Sequence, residues 1–177
     1  MLESPRLVLA EVTPELLPEL LQVFTSNPFY VGMTEGPEGY DLAKLQRDWQ
    51  LAAATPGRHM WAICRKGDGA AVGMVDFLEE NPSDGLPWIG LLIIRGELQG
   101  QGYGTEALEA LFDHFRRDRG WKAVRIGVIA RNAPALTWWQ QRGFKPIGTV
   151  RRRLPAGDCE IVRMECRLDA AARPRPA

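Results

Sequence analysis

The stretch Leu91–Thr105 reads LLIIRGELQGQGYGT, and its interpretation decides the fold. Four apolar residues, Leu91, Leu92, Ile93 and Ile94, give way to polar ones. Gly100, Gly102 and Gly104 then alternate ahead of an amphipathic run that begins at Thr105. That order describes a strand, a glycine-rich turn and the start of a helix. Backbone N–H groups gathered at the positive end of a helix suit a phosphate-bearing ligand. The stretch lacks the Lys-Ser/Thr ending of a nucleotide P-loop. Nor does it follow the first strand of a βαβ repeat, where a dinucleotide fingerprint sits.

Working outward, Leu108, Leu111, Phe112 and Phe115 fall on one helical stripe, and Gly120 closes the helix. The strand Ala123 to Ala130 follows, so strand, helix and strand form a crossover unit whose two strands run parallel. Asn132 and Pro134 open a short helix ending at Gly143, and Phe144 to Val150 and Glu160 to Leu168 make a last pair of strands. Upstream, Arg6 to Val12 is β-prone, and Leu17, Leu20, Leu21 and Phe24 mark a first helix. The Gly- and Pro-rich segment Ser26 to Gly39 reads as a long loop carrying Phe29, Tyr30, Met33, Glu35 and Glu38. A helix is predicted over Asp41 to Ala54. The hairpin strands His59 to Arg65 and Ala71 to Leu78 then deliver the chain to the strand Trp88 to Ile94.

The expected architecture is α+β: a mixed, mostly antiparallel central sheet of about six to seven strands flanked by about four helices, the fourth and fifth strands parallel. Residues 1–168 are expected to form a single domain, and the tail 169–177 to be disordered.

Twenty-two basic residues balance twenty-two acidic ones, so nothing points to nucleic acid or an anionic membrane surface. No run approaches the ~20 apolar residues of a membrane span. The opening MLESPRLVLA is too charged for a signal peptide. Cys64, Cys159 and Cys166 lack metal-ligand spacing and read as thiols in a reducing compartment. The expectation is a cytoplasmic protein with no metal.

A second constellation lies some way downstream. Gln99-x-x-Gly102-x-Gly104, taken with Asn132-x-x-Ala135 and Arg142-Gly143-Phe144, resembles the GNAT superfamily of N-acetyltransferases. The order of strands and helices read above is similar to that family's order over nearly the whole chain. The resemblance implies acetyl-CoA as co-substrate and an amine as acceptor, either a small molecule or a protein amino group. It implies that the parallel strands are splayed. It also implies a pyrophosphate held by the backbone of Gln99, Gly100, Gln101, Gly102, Tyr103, Gly104 and Thr105. The pantetheine arm would lie as a false strand against Leu92, Ile93 and Ile94, with the Ile94 N–H catalytic in stabilising the carbonyl oxygen. Asn132 would touch the arm, and Ala135 would keep the helix surface low beneath it. Dimers are common in the family, so a homodimer is a partner the resemblance allows.

Trp139 takes the place of the family's usual tyrosine, whose hydroxyl protonates the departing thiolate. An indole N–H donates a hydrogen bond but is no acid near neutral pH. Tyr30 is an alternative acid. A catalytically weak CoA-binding sensor or assembly module of the same fold is the rival reading. Asp76, Glu79 and Glu80 are candidate bases, although strand alternation separates Asp76 from Glu79, and each reads as a solvated surface acid. Trp138 reads as a core or pocket-wall residue. Glu35 and Glu38, beside Phe29 and Tyr30, could line a site for a cationic acceptor.

Overall fold

The computed structural model describes residues 1–169. The expected disorder of the tail beyond Asp169 lies outside them. The strands are β1 (Leu2–Glu3), β2 (Leu7–Glu11), β3 (Arg58–Arg65), β4 (Ala71–Leu78), β5 (Trp88–Ile94), β6 (Ala123–Ile129), β7 (Lys145–Leu154) and β8 (Gly157–Arg167). The helices are α1 (Leu17–Thr25), α2 (Pro28–Thr34), α3 (Leu42–Ala54), α4 (Tyr103–Arg117) and α5 (Ala133–Gln141). Among the described residues one sheet runs in the order β1-β2-β3-β4-β5-β6-β8-β7. All its pairs are antiparallel except β5 with β6.

The sheet therefore has eight strands rather than six or seven, and the parallel pair is the fifth and sixth strands rather than the fourth and fifth. The displaced count comes from β1, two residues that pair with Val8 and Leu9 of β2 and are too short to leave a periodic signal. The fifth helix is α2, inside the segment expected to be a loop. Asn27-Pro28 looks like a breaker, yet a proline at the first helical position lacks only an N–H that would be unbonded anyway.

Alternating residues on the central strands feed two apolar layers. Leu7, Leu9, Trp61, Ile63, Val75 and Phe77 meet Leu108, Leu111 and Phe115 of α4 on one face. Met60, Ala62, Met74 and Ile93 meet Leu20, Val23 and Phe24 of α1 and Leu45 of α3 on the other. Leu111 and Phe115 are fully buried, and such side chains each contribute about 1.5–3 kcal/mol.

Asp76 interrupts the second layer. It is 7% exposed, the one buried polar side chain among the described residues, and it is no surface acid. The sequence misleads here because β4 is covered on both faces. Arg58 holds it with two nitrogens: Nε at 3.1 and 3.0 Å from the two carboxylate oxygens and Nη2 at 2.8 Å from Oδ2. Burial pushes the Asp76 carboxyl above the usual aspartate range, and Arg58 opposes the shift. Arg58→Met should cost about 3 kcal/mol near neutral pH, because it strands a buried carboxylate. With its folded pKa raised, that carboxylate penalises the native state only where it is ionised. The deficit should therefore shrink as the pH falls toward about 4, which paired denaturant titrations would read.

Candidate active site

β5 and β6 pair only at Trp88↔Arg125 and Ile89↔Ile126. Beyond Ile89 the two strands part. The register on the other side of β5 decides which backbone groups this exposes. Arg95 N–H donates to Val72 O at 2.9 Å, and Ile93 lies opposite Met74 and Leu91 opposite Asp76. In an antiparallel pair, hydrogen-bonded positions alternate with outward-facing ones. Ile93 and Leu91 are thus bonded to β4, while Leu92 and Ile94 turn their N–H and C=O toward the gap. Of the three residues expected to meet the pantetheine arm, Leu92 and Ile94 face the gap and Ile93 faces β4.

The Ile94 carbonyl does not stay empty. It accepts Asn27 Nδ2 at 3.0 Å and Gln99 Nε2 at 3.1 Å, and Gln99 also donates to Asn27 Oδ1 at 2.6 Å. Asn27, which the sequence does not single out, thereby ties α2 to the end of β5. Gln99 is spoken for twice, since its backbone N–H donates to Gly96 O at 3.2 Å. Its side chain braces the strand end, and its amide is not free to meet a ligand.

The amides of Gly100, Gln101 and Gly102 meet no acceptor among the described residues. Those of Tyr103, Gly104 and Thr105 open α4, whose first turn has no i−4 carbonyl and no side-chain cap. Gly100 and Gly102 sit at φ +76° and +84°, a left-handed backbone that turns these amides in sequence and disfavours any side chain. Gly104 is small for another reason: a Cβ there would lie 3.3 Å from the Trp138 ring and 3.4 Å from Ile94. The Tyr103 ring is buried in the core, with the Arg6 guanidinium 4.5 Å over it. Gln101 lays its amide back on Glu97 O at 3.2 Å. Thr105 Oγ1 accepts Arg142 Nη2 at 2.5 Å, and Arg142 stacks 3.8 Å over Trp138.

Across the gap, Asn132 caps α5 by accepting the Ala135 N–H at 3.2 Å. Asn132, Ala135 and Trp139 line a cavity of about 250 Å³ together with Leu92 and Val128. Trp139 is 8% exposed and packs edge-on against Trp138 and Phe144. Its indole N–H has no acceptor among the described residues. Of the tryptophan pair, Trp139 is the core and cavity-wall residue, and Trp138 is the half-buried platform for Arg142.

A second cavity of about 180 Å³ opens on the α1–α3 side of the sheet, and Tyr30, Thr34, Gly90 and Leu91 line both. Burial, with Glu35, Asp76 and Asp48 nearby, pushes the Tyr30 phenol up to about 12. Tyr30 lines both cavities, which keeps its hydroxyl among the candidate acids. Phe29 is exposed, Glu38 points outward, and Glu79 is engaged by His59 and Arg119 away from both cavities. No group of three or more His, Cys, Asp or Glu side chains that could hold a metal occurs among the described residues. No helix among them is long and apolar enough to cross a membrane.

These features agree with comparisons to known proteins. Residues 6–145 match the family described as acetyltransferase (GNAT) domain. No curated protein sequence matches the chain. Among solved structures, an acetyltransferase from Thermus thermophilus is 27% identical, with a TM-score of 0.73 over 91% of this chain and 96% of its own. An acetyltransferase from Salmonella typhimurium that modifies the N-terminal serine of a 50S ribosomal subunit protein superposes with a TM-score of 0.78 at 17% identity, covering 94% of this chain and 97% of its own. A spermidine N-acetyltransferase variant from Vibrio cholerae gives 0.69 at 15% identity, covering 93% and 95%. With a family match that spans most of its length, a strand–glycine turn–helix unit and a parted parallel pair, the chain belongs to the GNAT family of acetyl-CoA-dependent N-acetyltransferases.

Proposed function

We propose that acetyl-CoA lies across the gap between β5 and β6, and that an amine entering from the smaller cavity attacks its thioester directly. One observation carries this reading: Leu92 and Ile94 face a gap where no neighbouring strand pairs with them. A pantetheine arm supplies amides at the spacing of a strand and satisfies the Leu92 N–H and C=O as a missing partner would. The pyrophosphate then reaches the free amides from Gly100 to Thr105 at the start of α4, where the helix dipole favours negative charge. Asn132 and Ala135 border the arm from α5.

The Ile94 N–H, whose carbonyl is fixed by Asn27 and Gln99, has the freedom to donate to the thioester oxygen as negative charge develops there. The amine must first lose a proton to water or a nearby carboxylate. Its lone pair forms the C–N bond, the nitrogen of the tetrahedral adduct gives up its extra proton to water, and the adduct collapses as the C–S bond breaks. The sulfur leaves as thiolate, facing the Trp139 indole N–H, and is protonated to the thiol by solvent. The products are the N-acetyl amine and CoA, with no covalent enzyme intermediate.

Isothermal titration should detect CoA and acetyl-CoA binding to the wild-type chain, and an absence of heat with both overturns the reading. Gly102→Val, which forces a β-branched residue into the left-handed turn beside the Arg6 guanidinium and so misaligns the open amides, should weaken CoA at least about 100-fold while the far-ultraviolet spectrum stays native. Trp139→Phe removes the indole donor and should lower kcat about tenfold, the scale of one neutral hydrogen bond. Trp139→Tyr, which brings back a hydroxyl, should not. Stopped-flow detection of thiol release separates these two outcomes.

A further inference from the structure

Asn27 stands at the N-cap position of α2, yet its side chain makes no cap hydrogen bond to its own helix. An asparagine there ordinarily accepts from an amide of the first turn, as Asn132 does for α5. Asn27 turns its side chain to the end of β5 instead. Nδ2 donates to Val23 O at 2.7 Å and to Ile94 O at 3.0 Å, while Oδ1 accepts Gln99 Nε2 at 2.6 Å. Gln99 Nε2 also donates to Ile94 O at 3.1 Å. A peptide carbonyl offers two lone pairs, and side-chain amides engage both on Ile94.

The backbone around this contact is closely fitted. A Cβ on Gly96 would lie 2.2 Å from Ser26 O, and one on Gly73 would lie 2.5 Å from Ile93 O. Ser26 Oγ accepts the Gly96 N–H at 2.9 Å. The strand end is thus fixed by β4 on one side and by Ser26 and Asn27 on the other. In a strand the N–H and C=O of one residue point the same way. The Ile94 carbonyl therefore lies beside the Ile94 N–H along the gap, its negative end near the place where a thioester oxygen would gain charge. Uncovered, that dipole opposes the charge. With two donors on it, most of the opposition is cancelled.

We propose that Asn27 is a positioning residue for acetyl transfer: with Gln99 it covers the Ile94 carbonyl and leaves the Ile94 N–H as the group that meets the thioester oxygen. This deepens the reading that acetyl-CoA lies in the gap and rests on it for the identity of the oxyanion donor. Asn27 also begins the helix whose Tyr30 and Thr34 line both cavities, so one residue ties the acceptor wall to that donor.

Infrared difference spectra of bound acetyl-CoA, isotopically labelled at the thioester carbonyl, test it. In the wild type the carbonyl stretch should fall below its frequency in water, because a fixed donor in a drier site polarises it more than mobile water does. Asn27→Ala should lose most of that shift, while calorimetric affinity for CoA stays within about twofold, because the arm and the phosphates are held elsewhere. Asn27→Asp keeps the shape and the acceptor for Gln99 but removes the donor, and it should lose the shift as well. A wild-type frequency in either variant overturns the proposal. So does a loss of CoA affinity in Asn27→Ala as large as that expected of Gly102→Val, which marks a general disturbance of the site. A wild type that binds acetyl-CoA with no shift overturns the Ile94 reading and this proposal together, and absent binding overturns the cofactor reading beneath both.

Discussion

A strand pair that runs together for two residues and then divides leaves peptide groups facing no partner, and the rest of this molecule is arranged around that cost. An unbonded buried N–H or C=O costs about 1–3 kcal/mol, so a sheet opened along one seam needs its edges held from outside. On the β5 side the Ile94 carbonyl is taken by Asn27 and Gln99. On the β6 side the strand leans on β8 along its whole length, from Ala123↔Arg167 to Ile129↔Ile161. On the β5 side the outward groups of Leu92 and the Ile94 N–H stay unbonded, and in the proposed reading a co-substrate with amides of its own meets them. The fold thus gathers unbonded backbone groups along one seam.

The turn that follows applies the same logic to a helix end. An ordinary helix covers its first amides with a serine, threonine or aspartate side chain. Asp41 does this for α3, and Asn132 for α5. At α4 the N-cap position is Gly102, and no side chain takes that role. Donors left open at the positive end of a helix are matched to an anion.

How much of this the sequence discloses depends on whether the signal is local. The glycine turn, the Leu108–Phe115 stripe and the Asn132 cap are local patterns, and they place β5, α4 and α5 correctly. Pairing parity is not local: that Leu92 and Ile94 face the gap while Ile93 does not depends on β4 register, which no property of β5 reveals. The role of Gln99 is hidden likewise, because its partners Asn27 and Ile94 meet only after α2 has docked. Helix α2 is obscured by a glycine and a proline that usually end helices, and here the proline begins one. Asp76 looks solvated because alternation suggests a free face on β4, whereas α1 and α3 cover that face and Arg58 is the price of keeping a carboxylate beneath them. Tyr30 stands out in the sequence as an aromatic in an irregular segment, but its place between two cavities follows from the helix.

The hairpin of β7 and β8 carries one more consequence. At its tip the Ala156 N–H donates to Thr34 O at 3.0 Å, and the same alanine packs on Gly36. The last strands of the chain are thereby fastened to a helix near its beginning, on the side where the seam lies open. Joining segments so distant along the chain carries a loop-closure cost that the contact must offset. Shaping the cleft therefore draws on both ends of the sequence: Thr34 from α2 and Leu154 and Ile161 from the last hairpin wall the same cavity.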